Sequence, residues 1–181
     1  MNMDDLEIVN EDWKENIEKI FEHFKEDISY LYPNNNTEAF LTEIWSESQG
    51  AFDKPREIQV VIDANDKLYI SVGTPSFVSF DDQEEQLAGM TLPLKCWIHT
   101  HPFGVAFFSV TDWRTVHAWE SILSSAIVLG NNEYMAYDMN TKIAKKVYYG
   151  VLTEAGPEEP EEDDWEAWDY SEAVTEMGEE E

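Results

Sequence analysis

Two histidines, a serine and an aspartate lie close together in residues 97–112, WIHTHPFGVAFFSVTD. His99 and His101 end an apolar segment typical of a buried strand, and their spacing of two directs both imidazoles to one face of a sheet. Two imidazoles on one face can bind a divalent ion such as Zn²⁺, which prefers nitrogen ligands. Asp112 follows in the first turn of a predicted helix and could supply an oxygen ligand. Two histidines and one carboxylate leave a fourth position open for water, as in catalytic zinc sites.

Each of these residues, taken alone, has an ordinary structural explanation. Histidines in a His-x-His pair on a strand are often exposed, Ser109 suits a helix N-cap, and Asp112 complements the helix dipole. The joint pattern favours a metal site: His-x-His, seven residues, Ser, two residues and Asp. His117 follows on another face of the same predicted helix, and His23 lies among charged residues of an earlier one. Both are predicted to be ordinary packed or exposed histidines.

The composition argues against several classes of protein. The 181 residues include 11 basic and 39 acidic side chains, a net charge of −28, which disfavours binding to nucleic acid or anionic membranes. No apolar stretch reaches the roughly 18 residues of a membrane span, and the acidic N-terminus lacks the basic region of a secretory signal. The one cysteine, Cys96, cannot form an internal disulfide and is predicted to be a buried thiol on the strand face opposite His99. A cytoplasmic location is expected.

The elements that must position the metal-binding residues follow from hydrophobic periodicity. One helix is predicted over residues 11–31, a second from an N-cap at Thr37 to about Ser48, and a third over about 110–124. Strands are predicted at 57–63 and 67–72 as a hairpin, then at 75–80, 94–100, 126–130, 133–139 and near 144–152, with a surface loop at 81–89. Helices and strands mixed around one sheet indicate an α/β or α+β domain.

Three regions follow from this pattern: an amphipathic N-terminal helix at 1–35 that packs on or precedes the domain, the domain at 36–152, and an acidic tail at 153–181. The apolar face of the N-terminal helix must be covered by the sheet or by a partner. The oligomeric state does not follow from the sequence.

The acidic tail carries much of the net charge. Residues 151–181 contain fourteen acids and no Lys or Arg, and the stretch 157–164 is predicted to be disordered. Three aromatic residues stand among these acids, Trp165, Trp168 and Tyr170. They either dock on the parent domain, or belong to an interaction peptide or a lid that mimics an acidic substrate.

The histidine, serine and aspartate pattern resembles the signature of the JAMM (MPN+) zinc metalloproteases, which include isopeptidases acting on ubiquitin-like proteins. The family motif has an upstream glutamate in a Glu-x-x-Gly segment, and Glu47-Ser48-Gln49-Gly50 stands at that place. Glu43 lies one turn earlier, but only Glu47 precedes the glycine at the family spacing. The resemblance covers roughly residues 37–152.

The stretches WIHTHP and AFFSVTD are most similar to the endosome-associated deubiquitinase branch of this family. That branch carries a second, structural zinc site built from additional His and Cys. This chain has no cysteine after Cys96, so the linkage specificity of the branch is not expected here.

The resemblance implies a single JAMM-type domain with a mixed central sheet flanked by helices and one catalytic Zn²⁺ on His99, His101 and Asp112. It implies that the ion lowers the pKa of a bound water, that Glu47 moves the proton to the leaving amine, and that Ser109 stabilises the oxyanion. The expected reaction is hydrolysis of an isopeptide or peptide bond after a ubiquitin-like or sulfur-carrier-like protein.

The length of the chain is typical of prokaryotic or viral members, and neither nucleic acid nor membrane is an expected partner. One alternative keeps the zinc peptidase and changes its substrate to a sulfur-carrier or phage-tail protein. A second is a noncatalytic MPN scaffold, which the complete ligand set disfavours.

Overall fold

The computed structural model describes residues 7–31, 34–73, 89–148 and 151–154. Three helices lie in these ranges: α1 (Trp13–Phe24), α2 (Asn35–Gly50) and α3 (Val110–Ala118). Seven strands accompany them: β1 (Glu57–Ile62), β2 (Leu68–Gly73), β3 (Cys96–Thr100), β4 (Ser125–Gly130), β5 (Glu133–Asp138), β6 (Ile143–Tyr148) and β7 (Val151–Glu154). The predicted strand at 75–80, nearly all of the predicted loop at 81–89 and the tail beyond Glu154 lie outside the described residues.

The strands form one mixed sheet in the order β2-β1-β3-β4-β5-β6-β7. β3 and β4 pair in parallel, with α3 between them in the chain, and the other pairs are antiparallel. The predicted hairpin is confirmed, since Ile62 pairs with Leu68 across a turn in which Asp66 has a φ of 61°. The predicted class, a mixed sheet flanked by helices, is confirmed as well.

The two faces of β3 belong to two different hydrophobic clusters. Cys96 and Ile98 pack in the cluster that contains the buried residues of α1 and α2, whereas Trp97 packs with Trp113 of α3. This division follows from the alternation of side chains along a strand. α1 and α2 therefore cover one face of the sheet and α3 the other. Cys96 is fully buried, as predicted.

The apolar face of α1 is covered within the chain. Its residues Trp13, Ile17 and Phe21 are buried in the same cluster as Phe40 of α2. Phe21 and Phe40 contact each other with ring centroids 5.2 Å apart. The region of 7–31 thus packs on the domain itself.

The boundary between the first two helices differs from the prediction. α1 ends at Phe24 instead of continuing to residue 31, and Asp27 N donates to Phe24 O in the turn that follows. α2 begins earlier than predicted because Asn34, and not Thr37, is its N-cap: Asn34 Oδ1 accepts from Thr37 N at 2.9 Å. Thr37 is buried, and its hydroxyl donates to Ser29 O at 3.0 Å.

Two predicted boundaries near the C-terminal half of the sheet are also wrong. α3 ends at Ala118, before the predicted limit near 124, because Leu123 leaves the helix and pairs with Leu94 as an isolated bridge. The single strand predicted near 144–152 is two antiparallel strands, β6 and β7, in which Tyr148 pairs with Val151. Helices in the described ranges are all too short or too polar to cross a membrane.

Candidate metal centre

The end of β3 and the first turn of α3 bring His99, His101 and Asp112 together. Asp112 Oδ2 lies 3.0 Å from His99 Nε2 and 3.1 Å from His101 Nε2. The three side chains each offer one ligand atom, and these atoms lie within 4.8 Å of one another. The group could therefore hold a metal ion, and the predicted placement of the two imidazoles on one face is confirmed.

Ser109 and Asp112 also form the N-terminal cap of α3. Ser109 Oγ accepts from Asp112 N at 3.1 Å, and Ser109 N donates to Asp112 Oδ2 at 2.9 Å, which completes a capping box. The ordinary structural explanations of both residues are thus correct, but they do not compete with the metal site. The capping turn holds the Asp112 carboxylate against the histidines.

The surroundings of His99 leave both of its ring nitrogens without a hydrogen bond. His99 is fully buried, and the ring of Trp97 stacks on it with centroids 4.4 Å apart. Neither Nδ1 nor Nε2 has a hydrogen-bond partner among the described residues, although Asp112 Oδ2 lies 3.0 Å from Nε2. Buried polar atoms are nearly always partnered, so these two nitrogens are suited to bind a ligand such as a metal ion.

Burial and mutual contact set the protonation of the group. Burial lowers the pKa of His99, against the opposing effect of Asp112, which favours the neutral imidazole that binds metals. Burial alone would raise the pKa of Asp112, but the nearby charge of His99 and the contact with His101 hold it well below its usual range. The lowered pKa values of His99 and Asp112 both favour the deprotonated forms that metal ligands need.

The loop from β3 to α3 is tied to the neighbouring strands. His101 N donates to Leu129 O at 2.8 Å, and Asn131 N donates to Gly104 O at 2.7 Å. Ala106 N donates to Glu133 Oε2 at 2.8 Å. These bonds fix the backbone that carries His101 and leads to the cap of α3.

Gly130 allows this loop to lie directly over the end of β4. A Cβ atom on Gly130 would stand 2.4 Å from Ala106 N and 2.6 Å from Gly104 O, which is closer than atoms can approach. Neither Gly130 nor Glu133 figured among the sequence candidates. A glycine that ends an apolar strand was the signal for Gly130, because such a glycine often marks a close backbone approach.

Glu47 lies in the last turns of α2 and is 6% exposed. It is not one of the three residues whose ligand atoms form the metal-binding group. Its Oε1 accepts from Asn10 Nδ2 at 3.2 Å and its Oε2 from Asn16 Nδ2 at 3.0 Å. Gln49, two residues later, donates from Nε2 to Pro102 O at 3.0 Å, so the end of α2 contacts the residue that follows His101. The role of Glu47 as the base stays a prediction.

The remaining candidates lie elsewhere. Glu43, one turn before Glu47, is partly buried, and burial together with the charge of Glu47 raises its pKa. His117 Nδ1 lies 3.7 Å from Glu120 Oε2, and His23 packs edge-on against Phe24. Among the described residues, the group of His99 is the one set of three or more ligand side chains with suitable spacing.

Comparison with known proteins gives no relative: no family model, no curated protein and no solved structure matches this chain.

Proposed function

We propose that this chain is a zinc-dependent peptidase or isopeptidase of the JAMM (MPN+) type that cleaves the bond after a ubiquitin-like modifier. The observation that carries the proposal is the convergence of His99 Nε2 and His101 Nε2 on one oxygen of Asp112, at 3.0 and 3.1 Å. The unpartnered ring nitrogens of the buried His99 support it, since a bound ion would satisfy one of them.

The donor set favours zinc among the common divalent ions. Two imidazole nitrogens and one carboxylate oxygen suit Zn²⁺, whereas Mg²⁺ and Ca²⁺ prefer all-oxygen ligands. Asp112 Oδ2 lies 3.0 and 3.1 Å from the two imidazole nitrogens, and all three donor atoms lie within 4.8 Å of one another, close enough for one ion to contact them all. When bound, zinc would lower the pKa of a water ligand from 15.7 to about 7 and polarise the carbonyl of the bond to be cleaved.

The chain's own residues would complete the chemistry. Glu47 would accept the proton of the attacking water and pass it to the leaving amine, which is a lysine ε-amine or an α-amine. Ser109 Oγ already accepts from Asp112 N, and its hydroxyl hydrogen has no acceptor among the described residues. It is therefore available to donate to the oxyanion, and one such donor is worth about 2.7–4 kcal/mol in the transition state.

The negative net charge of the chain favours a substrate with a basic surface. The net charge of −28 would attract a modifier with a basic face or an arginine near its C-terminus. Processing of a sulfur-carrier or phage-tail protein would use the same residues, so only the choice of substrate separates these alternatives. A noncatalytic scaffold differs, because it predicts no turnover even with metal bound.

The test combines metal analysis with cleavage of defined fusions. Purified protein is expected to contain zinc, and His99→Ala is expected to lose it, while His117→Ala serves as a matched control that retains it. Ubiquitin and a sulfur-carrier protein, each fused through the C-terminal glycine to a short peptide, are incubated with the protein with and without a chelator. Cleavage is read by mass.

The expected result is release of the peptide by the zinc-loaded protein and its loss with chelator or Glu47→Gln, which keeps the zinc. Cleavage by Glu47→Gln at the unaltered rate would show that Glu47 is not the base. Failure of the zinc-loaded protein to cleave any fusion would refute the isopeptidase function.

A further inference from the structure

The carboxylate of Glu47 is held by two neutral side chains from outside its own helix. Asn10 and Asn16 each direct an amide Nδ2 at one of the two oxygens, at 3.2 and 3.0 Å. The two donors lie 37 and 31 residues away in sequence, in the segment before α1 and in α1 itself. Each oxygen of the buried carboxylate thus has its own donor.

Asn10 is positioned by the chain that follows α2. Val9 N and Asn10 N both donate to Ala51 O, at 2.8 and 3.0 Å, and Asp53 N donates to Glu7 O at 2.9 Å. These backbone bonds fix residues 7–10 against the exit of the helix that carries Glu47.

Asn16 is positioned by the packing of α1. It lies next to Ile17, which is fully buried with Trp13 in the cluster shared by α1 and α2. Trp13 and Phe52 also pack in a T-shaped arrangement, with ring centroids 5.0 Å apart. Both amides therefore have rigid supports that do not depend on the metal-binding residues.

The chemistry of these donors suits a base better than an ion pair would. An ionised carboxylate has about four acceptor positions, so two amide donors leave room to accept a proton from water. A lysine or arginine partner would stabilise the charged form much more strongly and make the carboxylate a poorer base. Neutral amides restrain the orientation of the carboxylate without that cost.

We propose that Asn10 and Asn16 are positioning residues that hold the Glu47 carboxylate in the orientation needed for proton transfer. This inference rests on the proposed function, in which Glu47 is the base. It assigns a task to the N-terminal segment and α1: they complete the surroundings of the base as well as covering the sheet.

The kinetic test uses Asn16→Ala and Asn10→Ala in the zinc-loaded protein with a fusion that the unaltered protein cleaves. Removing a side chain that orients a metal ligand typically costs about 10–100-fold in activity, and we expect kcat to fall by a similar factor when a side chain that orients the base is removed. KM and zinc content should stay unchanged. Asn34→Ala is the matched control, because it removes the N-cap of α2, the helix that carries Glu47, and leaves the contacts of Asn10 and Asn16 to Glu47 intact.

A second measurement does not depend on turnover. The free energy of unfolding is measured by urea titration of the zinc-free protein for Asn16→Ala, Glu47→Gln and the double variant. If the amide holds Glu47, the two single effects do not add in the double variant. Additive effects would mean that Asn16 and Glu47 are not coupled and would overturn the proposal.

The kinetic outcomes separate this inference from the proposed function. Cleavage by Asn10→Ala and Asn16→Ala at the unaltered kcat, or a loss no larger than in Asn34→Ala, overturns the positioning role and leaves the proposed function standing. A higher kcat in either variant also overturns it, because the amides would then restrain Glu47 away from its task. If the unaltered protein cleaves nothing, the proposed function itself fails, and the positioning role fails with it even where the unfolding data show coupling.

Discussion

The metal-binding residues and Glu47 are held in place by two different kinds of contact. His101 and Asp112 lie 11 residues apart, and one strand end, one loop and one capping turn bring them together. Glu47 is held by donors 31 and 37 residues away, through the packing of α1 and of residues 7–10. The proposed site would therefore have two halves: the group of His99, His101 and Asp112, which is set by contacts close in sequence, and Glu47, whose surroundings form only after the helices pack.

The largest expected effect is loss of bound zinc when a residue in the group of His99, His101 and Asp112 is changed. Asp112→Asn keeps the size of the side chain but removes the charge of the oxygen that both histidines share. Zinc affinity is expected to fall by more than about 100-fold, the upper range seen for groups that only support a ligand. Competition with a chromophoric chelator measures this change.

The same measurement on Glu47→Gln sharpens the comparison. Since Glu47 lies outside the group of ligand atoms, zinc affinity should stay at the unaltered value. An equal loss of zinc affinity in Asp112→Asn and Glu47→Gln would mean that Glu47 is not independent of the metal-binding group.

A smaller but still large effect, on the free energy of unfolding, is expected when the contact between the loop and the end of β4 is disturbed. Gly130→Ala places a Cβ against the backbone of residues 104–106, and overpacking typically costs about 1–3 kcal/mol, with the upper end, about 3 kcal/mol, expected here because backbone must move. The free energy of unfolding of the zinc-free protein, measured with urea, is expected to fall by that amount.

Gly104→Ala is the matched control for this prediction. A Cβ on Gly104 meets nothing within 4 Å, so its effect should lie within about 0.5 kcal/mol. If Gly130→Ala were equally harmless, the loop would not depend on its contact with the end of β4.

The smallest effect is expected at Asp63, which comes directly after β1 and touches neither half of the site. Burial opposes its ionisation, but Asn65 N, Lys67 N and Thr91 N donate to its carboxylate and lower its pKa. Asp63→Asn is therefore expected to lower the free energy of unfolding at pH 6 by about 2 kcal/mol, in the range for hydrogen bonds to charged groups.

The pH dependence of this difference has a definite sign. A carboxylate whose pKa is lowered by folding stabilises the protein above the unfolded pKa of about 3.9 and loses that contribution as the pH falls through its folded pKa. The difference between the two proteins should thus shrink between pH 6 and pH 3. Urea unfolding at both values measures it, and a constant difference would argue against an ionised Asp63. Zinc affinity should not change.

Most of the elements and the metal-binding group were predictable because they depend on local patterns. The hairpin at 57–72 follows from two apolar runs around a short turn, and the shared face of His99 and His101 follows from their spacing alone. The pairing of Ser109 with Asp112 follows from the chemistry of a helix start.

The predictions were wrong or incomplete where contacts between residues distant in sequence determine the structure. The helix predicted to residue 31 stops at Phe24. Asn34, which caps α2, donates from Nδ2 to Asp27 O at 2.7 Å in the segment that follows. α3 is shortened by the pairing of Leu123 with Leu94, a partner far back in the chain. The donors of Glu47 carry no local signal either, because an isolated asparagine resembles any polar surface residue.

The close approach at Gly130 bears on how relatives of this chain could be recognised. A chain with a loop of the same length must keep glycine at the end of this strand, whereas a longer loop could rise above the strand and tolerate a side chain there. Glycine and loop length should therefore vary together among diverged sequences. That correlation is independent of the histidines and the aspartate, so it would identify the architecture even in chains that have lost their ligands.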